Sequence, residues 1–91
     1  MEIDKDNPGA LLNLGKLLFN MERTEEAVTL IERFHNIDTT NTEAVDVLGM
    51  CFLKLNDNER AKSFWEKALE IDPDLHQVRN RLQDLNDSKL Y

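Results

Sequence analysis

The sequence predicts an all-α protein of antiparallel helix pairs, and three observations predict it. Glycine and proline are scarce, three and two in 91 residues, which argues against the many tight turns that a sheet requires. The strong helix formers Leu, Glu, Lys, Ala and Met recur throughout, while the valines are scattered singly rather than in alternating runs. The chain also superimposes on itself after a shift of 34 residues. Leu14-Gly15 falls on Leu48-Gly49, Glu25 on Glu59, Ala27 on Ala61, Glu32 on Glu66, and Ile37-Asp38 on Ile71-Asp72.

The same register places Ile3-Asp4 on Ile37-Asp38 and Leu48 on Leu82, so residues 1–7 read as the tail of an earlier copy. Residues 8–41 and 42–75 are then two full repeats, and 76–91 a capping helix and tail, all within one domain. In the first repeat, Asn7-Pro8 supplies an N-cap and a first-turn proline, and Leu11, Leu14, Leu18 and Met21 recur at helical spacing. Glu22-Arg23 breaks that run. Thr24 is positioned to cap a second helix whose first turn carries Glu25 and Glu26 at the positive end of the helix dipole. In the second repeat, Thr40 and Glu43 have capping-box spacing, Asn56-Asp57 turns the chain, and Asn58 is the expected cap of the following helix. Asp72-Pro73 ends it, because proline lacks a donor and forces its predecessor out of the helical region. A fifth helix is expected from about Asp74 to Asn86, apolar along Val78, Leu82 and Leu85 and polar elsewhere.

The period and the residues that carry it resemble the tetratricopeptide repeat family. The second copy has Val45-x-x-Leu48-Gly49-x-x-Phe52, then Ala61-x-x-x-Trp65, then Ala68 and Asp72-Pro73. The first has Leu11-x-x-Leu14-Gly15-x-x-Leu18 and Ala27-x-x-x-Ile31. Two departures occur in the first copy: Phe34 stands where the family has a small alanine, and Thr39 where it has proline. The resemblance implies an α-α superhelix closed by the C-terminal helix. Small residues at Gly15, Ala27, Gly49 and Ala61 would mark the close approach of paired helices, and Leu18, Phe52 and Trp65 would fill the space between repeats.

At 100° per residue, Leu11, Leu14, Gly15 and Leu18 lie on one side of the first helix, while Leu12, Lys16 and Phe19 point to the other. In the third helix Val45, Leu48, Gly49 and Phe52 separate in the same way from Asp46, Met50 and Leu53, with Lys54 flanking. The resemblance implies a use for the second set, since in this family the first helices of successive repeats line a concave groove that holds a peptide or partner helix. Leu12, Phe19, Met50 and Leu53 are the expected apolar contacts, and Lys16, Asn20, Asp46 and Lys54 the polar ones. Two lysines there suggest a ligand that mixes apolar and acidic groups. The expected function is thus non-catalytic binding of a protein or peptide, by a piece of a longer repeat protein. Self-assembly as a homo-oligomer, through the same stripe or an exposed repeat end, is the alternative.

The best-known use of the family, a carboxylate clamp for the C-terminal tails of heat-shock chaperones, is not expected. Its positions hold Leu12 and Lys16, then Val47, then Gln77 and Arg81, and only Arg81 suits it.

Eighteen acids against eleven bases give a net charge of -7, which provides no basic field for nucleic acid or anionic lipid. No apolar run approaches the ~18 residues of a spanning helix. A lone Cys51 precludes an internal disulfide and suits a reducing, cytoplasmic setting. No catalytic, metal or cofactor site is expected. His35 and His76 have no ligand-spaced neighbours, and Cys51 reads as a small core residue without a base beside it. Asp4-Lys5-Asp6-Asn7-Pro8-Gly9 imitates a calcium loop, yet Gly15 occupies the place of the bidentate glutamate.

Overall fold

The computed structural model describes residues 7–88. Among these, five α-helices run in order: α1 (Pro8–Asn20), α2 (Thr24–Ile37), α3 (Thr42–Lys54), α4 (Asn58–Ile71) and α5 (His76–Ser88). The helices α1 and α2 form one antiparallel hairpin, α3 and α4 a second, and α5 closes on α4. The described chain is elongated, 47 × 26 × 16 Å. The stub proposed at Ile3-Asp4 lies outside the described residues.

Each hairpin closes where its glycine lets the helices meet. A Cβ added at Gly15 would stand 2.4 Å from Cγ1 of Ile31 on α2, and one at Gly49 would stand 2.3 Å from the indole nitrogen of Trp65 on α4. Ile31, Ala27, Ala61 and Trp65 are fully buried behind these contacts. Trp65 therefore packs within its own repeat, against Gly49, rather than only between repeats as expected. Between the hairpins, Phe34 is buried at the position matching Ala68, so the larger side chain is accommodated in the core.

The middle helix is enclosed on more sides than the projection suggested. Besides Val45, Leu48 and Phe52, it buries Ala44, Val47 and Cys51, because α2 covers it from one side and α4 from another. Burial pushes the Cys51 thiol up to about 11, so it stays protonated as a core hydrophobe.

The turns follow the 34-residue register as closely as the helices do. At the end of α1, the Arg23 amide donates to the Leu18 carbonyl (2.9 Å) and the Glu22 amide to Phe19 (3.1 Å). At the end of α3, Asp57 donates to Phe52 (2.8 Å) and Asn56 to Leu53 (3.0 Å). These are paired Schellman motifs, and each needs its penultimate residue in the left-handed region. Glu22 and Asn56 occupy it, both at φ 64°. Asparagine tolerates that conformation, whereas glutamate gains nothing local to offset a steric cost of roughly 1 kcal/mol. Its ion pair with Lys54, 3.7 Å long and solvent-exposed, contributes little. Glu22→Gly is expected to raise the unfolding free energy by about 0.5–1 kcal/mol in denaturant titrations, and a loss of stability would contradict this account of the turn. The turns between hairpins repeat too: the Asp38 carboxylate accepts from the Thr40 amide (3.2 Å) and the Asp72 carboxylate from the Asp74 amide (3.0 Å).

Three capping expectations shift by one residue. Asn41 rather than Thr40 caps α3, accepting from Ala44 at 3.1 Å, and Asp57 rather than Asn58 caps α4, accepting from Arg60 at 3.1 Å. The N-cap of α2 is Arg23, without a side-chain cap bond, and Thr24 is buried as the first helical residue. For α2 and α4 the Schellman turn fixes the position, since the residue that closes the preceding helix, Arg23 or Asp57, is already the N-cap of the next. α5 likewise begins later than expected, because the Leu75 amide is still bonded to the Asp72 carbonyl (3.4 Å).

At the seam of the two hairpins His35 of α2 meets α4. Its ring stands edge-on to Phe64 (6.4 Å between centroids, 80°), and the Lys67 ammonium lies 3.2 Å from Nε2. A cationic donor on Nε2 assigns the imidazole proton to Nδ1, which is buried with no hydrogen-bond partner among the described residues. Burial and then Lys67 hold the His35 pKa below its usual value, against smaller opposing effects of Asp38 and Glu32. A depressed histidine pKa means that the unfolded chain takes up the proton first on acidification. Stability from this site is thus complete above about pH 6.5 and is lost as pH falls below it. The denaturation midpoint should drop between about pH 7.5 and 5.5 in the parent chain, and His35→Gln should flatten that slope. An equal slope in both proteins would remove His35 as its cause.

Candidate functional site

The described residues of α1, α3, α4 and α5 line two neighbouring cavities. The larger, about 500 Å³, is walled by Phe19 of α1, by Met50, Leu53 and Lys54 of α3, and by Arg81, Asp84 and Leu85 of α5, with Trp65 reaching it from α4. Helical spacing produces this grouping: Met50, Leu53 and Lys54 are one turn apart on α3, as are Arg81, Asp84 and Leu85 on α5. The smaller cavity, about 410 Å³, opens between the N-terminal ends of α3 and α5. Thr42, Glu43 and Asp46 face Asp74, His76 and Gln77 there.

A single internal link separates the two. Arg81 bonds both carboxylate oxygens of Asp46, and the Trp65 indole donates to the same carboxylate at 3.0 Å. Asp46 thus ties three helices together, with α5 anchored to α3 over the buried indole. A carboxylate that satisfies a buried N–H and a guanidinium at once is costly to remove.

Four of the eight residues assigned from the sequence, Phe19, Met50, Leu53 and Lys54, come together at the larger cavity. Asp46 lines the smaller one, already engaged by Arg81 and Trp65. Leu12 is a correction to the expected surface: it is 7% exposed and belongs to the core. One turn later Lys16 reaches Glu43 on α3 at 3.0 Å. Asn20 is exposed and outside both cavities. Lys54 lies over the Phe19 ring, 5.2 Å from its centroid, so the cation covers one face of an expected anchor.

Sequence reasoning missed the contribution of α5. Arg81, Asp84 and Leu85 share a helix face, and that spacing was available. A terminal helix that closes the core with one side, at Val78 and Leu85, still lines a cavity through Arg81 and Asp84.

Stacked two-helix hairpins with glycine-mediated closure within each define a helical-repeat protein. Two models of the tetratricopeptide repeat match the chain, one over residues 9–37 and the other over 43–75. The chain belongs to the tetratricopeptide repeat family. Its fold is similar to that of two MamA crystal structures, one at TM-score 0.90 with 20% sequence identity and the other at 0.86 with 24%. Each match covers 94% of this chain, which spans 50% and 47% of those two chains. The first tetratricopeptide domain of Spaghetti (RPAP3), solved with the HSP90 peptide SRMEEVD, is similar at TM-score 0.89 and 22% identity, over 97% of this chain and 70% of that one. No curated protein is detectably similar in sequence. Among the described residues no helix is long and apolar enough to cross a membrane, and no three His, Cys, Asp or Glu side chains are grouped to hold a metal ion.

Proposed function

We propose that this chain is a non-catalytic protein-interaction module that docks a peptide segment or partner helix in its concave groove. One observation carries the reading: an open cavity of about 500 Å³ is lined by residues of α1, α3, α4 and α5, apolar at Phe19, Met50, Leu53 and Leu85 and charged at Lys54, Arg81 and Asp84. The peptide held by the structurally similar RPAP3 domain supports the same use of the fold. Anchoring comes from burying an apolar side chain against Phe19, Leu53 and Leu85, and the surrounding charges select among ligands.

Peptide display tests this with the whole chain as bait. The parent protein is expected to enrich a family of related peptides, and Leu53→Glu, a change at an exposed position, to abolish enrichment while leaving the far-UV circular dichroism unchanged. Equal enrichment on both proteins, or none on the parent, would refute the groove.

A second reading, assembly through the N-terminal end, has its own support. Leu17 is 52% exposed, whereas Cys51, its equivalent one repeat later, is completely covered by the preceding hairpin. Met21 beside it is also exposed. Sedimentation velocity is expected to show association that Leu17→Lys abolishes, and a monomer at all concentrations would eliminate this reading.

A further inference from the structure

We infer that the occupant of the groove is a segment with basic residues flanking its apolar anchor, not the acidic ligand that two groove lysines suggested. The inference rests on the groove reading above and adds the chemistry of the partner. Among the described residues, the lysines and the arginine on this face already have carboxylates of this chain. Lys16 is paired with Glu43 at 3.0 Å, Lys54 with Glu22 at 3.7 Å while lying over Phe19, and Arg81 with Asp46. Asp84, on the wall of the larger cavity, and Asp74, on the wall of the smaller, have no ion-pair partner among the described residues.

An incoming carboxylate would have to displace one of three internal acids, and would do so against a chain of net charge -7. An incoming ammonium or guanidinium displaces nothing: it meets Asp84 beside the apolar wall, or Asp74 next to Glu43 in the second cavity. Complementarity of this kind governs which partner is accepted and how fast it arrives.

The spacing of the two cavities adds a register. Their α3 walls are centred near residues 44 and 52, about eight positions apart, which is ~12 Å at 1.5 Å per residue. An extended chain covers that distance in three or four residues at ~3.3–3.6 Å each. The geometry therefore places a Lys or Arg of the ligand three or four positions from its apolar anchor, with the anchor in the larger cavity and the base in the smaller.

Sequencing the peptides enriched in the display experiment reads this directly. Enriched peptides are expected to carry Leu, Met or Phe with Lys or Arg three or four positions away. For a synthetic peptide of the enriched consensus, fluorescence anisotropy on Asp74→Lys and Asp84→Lys is expected to give binding weakened five- to tenfold by each change. Replacing the peptide's basic residues with Glu should weaken binding further. Groove-dependent enrichment of acidic peptides, or unchanged affinity in both aspartate variants, would overturn the basic-ligand inference while leaving the groove intact. Loss of the groove reading has a different signature, enrichment that persists on Leu53→Glu or fails on the parent.

Discussion

Trp65→Ala is expected to lower the unfolding free energy by about 3–5 kcal/mol, the usual cost of deleting a buried aromatic side chain. The indole is completely buried, fills the space that Gly49 leaves open and donates to Asp46. Its removal opens a cavity and takes a donor from the carboxylate that also holds Arg81. A small helical chain with total stability of about 5 kcal/mol has little left after such a loss, so extensive loss of helical signal at room temperature is the expected result. Trp65→Phe bears on the two contributions, because it keeps a six-membered ring in the core while losing the N–H and part of the ring volume. It should fall between the parent and the alanine variant in urea titrations. Equality of Phe and Ala would mean that the hydrogen bond to Asp46 dominates over packing.

Gly49→Val is the second large effect. Helix propensity alone makes glycine a poor choice at an interior position, by about 1 kcal/mol relative to alanine, so its presence needs a tertiary reason. That reason is the 2.3 Å separation between a built Cβ and the indole nitrogen. The ring has no room to swing aside while it is bonded to Asp46, and overpacking of this kind costs about 1–3 kcal/mol, with valine at the upper end. Gly49→Ala is the milder case, since improved propensity offsets part of the clash. Shrinking the partner should relieve it, so Gly49→Ala combined with Trp65→Leu is expected to cost less than the two changes added together. Strict additivity would show that the glycine is there for some other purpose.

The fold was almost entirely legible, because a repeat supplies two independent statements of each element. Gly15 with Gly49 and Ile37-Asp38 with Ile71-Asp72 marked the close approaches and the ends of the second helices without ambiguity. Cap positions were harder. Thr40, Asn41 and Thr42 are adjacent competent cappers, as are Asp57 and Asn58; between α3 and α4 the choice was made by the turn, because the left-handed Asn56 closes one helix and the next begins after a fixed interval. Nothing in Glu22 announces that conformation. Of the apolar stripe, Phe19, Met50 and Leu53 line the larger cavity, while Leu12 is buried, because a helical wheel has no information about where a neighbouring helix crosses. The pairing of Lys16, Lys54 and Arg81 was invisible for the same reason. Their carboxylates lie 27, 32 and 35 positions away in sequence and come within reach only through the stacking of one hairpin on the next.

The contacts of this chain run chiefly between helices adjacent in sequence, each joined by a turn of a few residues. Little loop-closure entropy must be met before any native contact forms, a topology of low contact order that places folding in the microsecond to millisecond range. Either hairpin is competent to start the process, and the other to complete it by templating on the exposed side of the first. The chain is thereby suited to fold as it is synthesised, hairpin by hairpin, without waiting for its C-terminus.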